Sequence, residues 1–205
     1  MLQSELVTRL VNWFEDPAYY TAIDFNDSIQ DGYDEAVAFS GAILKGASTP
    51  FVNNLSYYDM LTLFPDYIGI VAMFNATTKR WMWPTSVRKL ENTRIDWDTA
   101  PGTPYYFVPI SHRYVAIYKK PNTNAYGNMF LYYRAAAPTL SSGDTIQLPS
   151  DHVLALQDYC ITDLFEQAQE WAKAQKHFQA YAMMLEKLRV WAQNQRMPGR
   201  PINLK

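Results

Sequence analysis

The sequence predicts an α+β fold that is mainly α, with helices towards both ends and strands between them. Three observations lead there. First, Phe25, Ile29, Tyr33, Ala36, Val37 and Ser40 recur at helical spacing, and Asp24, Asp27, Asp31 and Asp34 gather on the opposite side. Second, the middle of the chain alternates short apolar runs with Pro- and Gly-bearing turns, as strands do. Third, no Gly or Pro interrupts Ser150 to Met197, where apolar residues keep a helical period.

The elements follow in order. Leu6, Leu10 and Trp13 or Phe14 predict a helix over 3–15, stopped at Pro17. The amphipathic helix over about 24–40 ends at Gly41 and Gly46, with Pro50 in the loop beyond. Strands are expected at 68–74 and 79–83, around a turn at Asn75-Ala76-Thr77; Pro84 suits a strand end. Pro101-Gly102-Thr103-Pro104 reads as a turn, and strands are expected at 105–108, 113–118 and 128–134. After Pro149 the long helical run begins, with Ser150 or Asp151 able to cap it. Val153, Leu156, Cys160 and Leu164 make one stripe, and Phe178, Tyr181, Leu185 and Leu188 another. A single helix there would span roughly 70 Å, so an antiparallel pair turning near 168–174 is expected. The expected organisation is one domain over 1–205: helices at about 3–40 and 150–196, a β-rich insertion at about 66–148, and a non-helical arm at 197–205.

Composition narrows the function. With 18 basic and 20 acidic residues the net charge is -2, without the basic excess of a nucleic-acid binder. Aromatics reach 15%, which suits either protein interfaces or a core of large side chains. One cysteine, Cys160, excludes an internal disulfide and fits a reducing compartment. The opening residues lack the character of a secretory signal, no apolar run is long enough for a membrane helix, and a soluble protein is expected. Charge is polarised: residues 1–40 carry eight acids against one base, and residues 171–205 seven bases against one acid. Such polarity suits a subunit whose ends meet different partners.

No catalytic pattern emerges. His112, His152 and His177 lie in separate segments, none at metal-ligand spacing from another His or Cys, and there is neither a phosphate-binding glycine loop nor a nucleophile elbow. Cys160, on an apolar helical stripe, reads as a buried thiol. No enzyme, cofactor or metal is expected. The acidic stripe could be a solvated helix face, a metal ligand set without EF-hand spacing, or a surface whose charge keeps DNA from sticking in a channel.

Pattern then supplies a family resemblance. Ser86-Val87-Arg88-Lys89-Leu90, Gly102-Thr103-Pro104-Tyr105-Tyr106, the pair around Ala116-Ile117-Tyr118 and Leu131-Tyr132-Tyr133-Arg134, then Ala137-Pro138-Thr139-Leu140 and Ile146-Gln147-Leu148-Pro149 precede the long helix pair. This succession resembles tailed-phage head-to-tail connector or adaptor proteins. The resemblance implies a structural virion protein with an antiparallel core of about four helices and a β-rich insertion. It implies a homo-oligomeric ring, commonly a dodecamer, below the portal in the neck, assembled in the host bacterial cytoplasm. Such a ring extends the DNA channel, passes DNA without sequence-specific binding, and gives the tail or nozzle component a surface to attach to. The portal-docking residues would be Met197, Pro198, Arg200, Pro201, Ile202, Leu204 and Lys205 of the arm. Asp24, Asp27, Asp31 and Asp34 would face the channel or a neighbouring subunit. The rivals are another neck or tail-tube protein and a small phage enzyme.

Overall fold

The computed structural model describes residues 1–14 and 22–195. Their elements run α1 (Gln3–Trp13), α2 (Ala22–Ser40), β1 (Leu44–Pro50), β2 (Tyr57–Asp59), α3 (Met60–Leu63), β3 (Tyr67–Asn75), β4 (Arg80–Pro84), α4 (Val87–Thr93), β5 (Tyr106–Pro109), β6 (Tyr114–Tyr118), β7 (Asn128–Ala135), α5 (Ser150–Gln167) and α6 (Trp171–Gln195). They divide into a helical unit, Met1–Ile43 with Ala136 onward, and a β unit, Leu44–Ala135.

The expectation of a mainly α fold on a four-helix core is overturned. The fold is 45% helix and 24% strand, with six helices among the described residues and one curled seven-stranded sheet. The strands begin at Leu44, not near 66, and the last ends at Ala135. What hid the first two is physical. β1 buries only Thr49 and carries Gly46 and Pro50, so it lacks the alternation of a half-buried strand. β2 has three residues, too few to show a period. The short helices α3 and α4 escaped notice too; each is fixed by one cap, Asp59 accepting from the Thr62 N–H at 3.2 Å and Ser86 from the Lys89 N–H at 3.3 Å.

In the helical unit, Leu6 and Leu10 of α1 are buried, and the Glu5 carboxylate accepts the Leu2 N–H at 3.0 Å. Phe25, Ile29, Tyr33, Ala36 and Val37 of α2 are buried, as their spacing predicts. α5 starts behind Pro149 with no side-chain cap, so neither Ser150 nor Asp151 caps it. Its stripe Val153, Leu156, Cys160 and Leu164 is buried, but Phe178 lies on a flank of α6 and is 53% exposed; Ala174 and Ala192 are buried instead. The turn between them, 168–170, lies where the two stripes place it. Gln169 takes φ 60°, and the Glu170 N–H reaches back to the Phe165 carbonyl at 2.8 Å, the bond that closes a Schellman end. Residues 136–149 belong to this unit rather than to the strands: Leu140 N–H donates to Gln30 Oε1 at 2.8 Å and Gln147 N–H to the Tyr33 hydroxyl at 3.3 Å.

The β unit orders its strands β1-β7-β3-β4-β5-β6-β2, antiparallel except for the parallel pair β4–β5. That pair needs a crossover, which runs through α4. Period-2 alternation sends Met73, Met82, Phe107, Ile117, Met129 and Leu131 to one buried face. At the β5–β6 end the opposite face is covered too, where Leu90, Trp97 and Ala100 pack on Val108, Ala116 and Tyr118.

Candidate interaction surfaces

The groups that could do chemistry are apart or enclosed. Cys160 is fully buried, and burial pushes its thiol up to about 12, far from a reactive thiolate. His177 Nδ1 lies 2.8 Å from Asp158 Oδ1, with its ring edge-on to Trp13 at 5.4 Å; this ties α6 to α5 and α1. His152 sits against Trp191 and His112 is exposed in the β5–β6 turn. Among the described residues no three His, Cys, Asp or Glu side chains gather at a metal-binding distance, and no helix is long and apolar enough to cross a membrane.

What the fold does present is three surfaces. On α2, Asp27, Asp31 and Asp34 are exposed on successive turns, with Asp24 half-buried at the start. Gln30 Nε2 donates to Asp34 at 2.9 Å, and among the described residues no Lys or Arg forms an ion pair with Asp27, Asp31 or Asp34. Burial, then the Glu35, Asp163 and Asp31 charges, push the Tyr159 hydroxyl up to about 12. The second surface is the outward side of α6, where Lys176, Met183, Lys187 and Val190 are exposed.

The third is the bare part of the sheet, which sequence reasoning did not single out. Antiparallel pairing puts Ser48, Phe130, Phe74 and Trp81 in one row across β1, β7, β3 and β4, and Tyr132 with Ala72 in the next. Trp81, Trp83, Phe130 and Tyr132 are 43–56% exposed. Trp81 packs on Phe74 with centroids 5.3 Å apart and on Tyr132 at 6.0 Å. The signal was present as alternation, Trp81-x-Trp83 and Phe130-x-Tyr132, flanking the buried Met82 and Leu131. It was not separable from core because either face of a strand can be the covered one.

The arm residues Met197, Pro198, Arg200, Pro201, Ile202, Leu204 and Lys205 lie outside the described residues.

Search of the curated proteins finds no match to this sequence. A family model does match, and it spans the helical and the β unit alike. With residues 1–203 matched by the model described as SU10 adaptor protein, the chain belongs to the SU10 adaptor protein family.

Proposed function

We propose that this phage adaptor, a structural protein of the virion, forms the neck between capsid and tail: a homo-oligomeric ring, a dodecamer, seated below the portal. The ring extends the DNA channel, lets DNA pass without reading its sequence, and carries the tail or nozzle component on its far side. The protein catalyses nothing in this role. Assembly takes place in the cytoplasm of the bacterial host. The carrying observation is the family match over residues 1–203. The separate acidic, cationic and aromatic surfaces support the reading, because a ring subunit needs distinct faces for its neighbours and its partners. The arm at 197–205 docks on the portal, with Ile202 and Leu204 as its apolar anchors and Arg200 and Lys205 as its charges. Repetition round the ring converts a modest contact per copy into avidity.

The test is electron microscopy and native mass measurement of the protein mixed with the portal of the same phage. A closed ring on the portal is expected, and a chain lacking 197–205 should stay folded but no longer attach. Self-stacking tubes without portal would overturn the adaptor reading in favour of a tail tube.

A further inference from the structure

We propose that the outward face of α6 is a copy-to-copy contact and that its occupant is the acidic face of α2 on the next subunit. This rests on the ring reading above and assigns the surfaces that make it.

On α6, Lys176, Met183, Lys187 and Val190 fall within a narrow sector opposite the buried Ala174, Tyr181, Leu185, Leu188 and Ala192. Met183 is 64% exposed and Val190 50%. The other cations nearby on α6 are satisfied within the chain, Lys173 by Glu170 and Arg189 by Glu186. Lys176 and Lys187 have no carboxylate within ion-pair distance among the described residues. The face is therefore a cationic stripe with an apolar centre, left exposed among the described residues.

The α2 face is its electrostatic complement. Asp27, Asp31 and Asp34 stand one turn apart, where like charges repel. Beyond them on the same face comes exposed Ala38, a small apolar site to meet Met183 or Val190.

The signs fix which faces meet. Acid on acid or lysine on lysine repels, and α6 against α2 attracts. Used head to tail, with α6 of each subunit on α2 of the next, the contact is heterologous, the kind that closes into rings; the ring reading selects that mode over a two-fold pair. A nucleic-acid backbone is a poorer occupant of α6, because phosphates would leave Met183 and Val190 without apolar cover.

The experiment uses the full chain with portal and counts subunits by native mass. The variants are Lys176→Glu with Lys187→Glu, Asp27→Lys with Asp31→Lys, and all four together; circular dichroism confirms that each is folded. Either double variant should lower the yield of complete rings by tenfold or more, and the fourfold variant should restore it. Wild-type rings alongside double variants that close equally well would overturn this contact and leave the ring reading intact. So would a folded fourfold variant that fails to recover. Loss of duplex DNA binding in the lysine variant with rings unaffected would assign α6 to DNA instead. A wild-type chain that never forms a ring overturns the ring reading and this contact with it.

Discussion

Gly32 lies in the middle of α2, where alanine ordinarily stabilises a helix by about 1 kcal/mol over glycine. The packing reverses that sign. A Cβ at position 32 would lie 2.6 Å from Cδ1, 2.8 Å from Cγ and 3.2 Å from Cβ of Tyr159. The last two atoms sit at the root of the side chain and cannot swing away, and the ring is braced edge-on against Tyr181 with centroids 5.1 Å apart. Overfilling a packed site costs about 1–3 kcal/mol. Contact with three atoms belongs in the upper half of that range, so Gly32→Ala should destabilise by about 1–2 kcal/mol net of the helix gain. For a unit of about 100 residues this lowers Tm by roughly 5–10 °C. Thermal melts at 222 nm, which weight the helical unit, measure it. In a Tyr159→Ala background the penalty should shrink or reverse, because only the 3.2 Å contact with Cβ is left to oppose the helix preference. A higher Tm for Gly32→Ala in the wild-type background would refute the close approach of α2 and α5.

Gln169 holds φ 60° at the end of α5, a conformation that costs a side-chain-bearing residue about 1 kcal/mol and glycine almost nothing. Gln169→Gly should therefore raise the urea midpoint, and an unchanged or lower midpoint would count against the turn. The Arg113 guanidinium, bonded to Asp59 Oδ2 at 2.5 Å, and the Thr62 N–H hold the Asp59 carboxyl down at about 2. A depressed carboxylate stabilises the fold above its ordinary range, and that contribution disappears as pH falls through about 2. Carboxyl chemical shifts should place its titration there, and Arg113→Ala should return it towards the ordinary value; a titration near 4 in the native protein would refute the pairing.

Where one physical signal dominated, the sequence was legible. α2, α5 and α6 each turn one apolar stripe inward and β7 alternates cleanly, so spacing located them; β6, covered on both faces, showed as a short apolar run between turns. β1 escaped because an edge strand with one buried residue has nothing to alternate. The α5–α6 turn carries no glycine or proline; the hydrogen bonds that close the end of α5 hold Gln169 in a conformation its side chain disfavours. Among surfaces, the α2 carboxylates were visible as a wheel. The aromatic face was not, because strand order across β1-β7-β3-β4 brings together residues more than 80 positions apart, Ser48 and Phe130 among them. Its local traces are the alternations Trp81-x-Trp83 and Phe130-x-Tyr132, which do not tell the covered face from the bare one.

The register of β1 with β7 has a consequence for how this chain is made. Leu44 pairs with Arg134, so the β unit leaves and re-enters the helical unit at adjacent points. Closing an unstructured excursion of about 90 residues would burden the helical unit with about 4 kcal/mol of lost chain entropy. Once β1 has zipped onto β7 that burden is gone, and α2 and α5 are joined through residues 41–43 and 136–149 alone. On the ribosome the inserted unit is complete before α5 is synthesised, so it can fold first and hand the helices a closed junction. A cassette with neighbouring ends can also be exchanged for another of different length and shape while the helical scaffold keeps its connections.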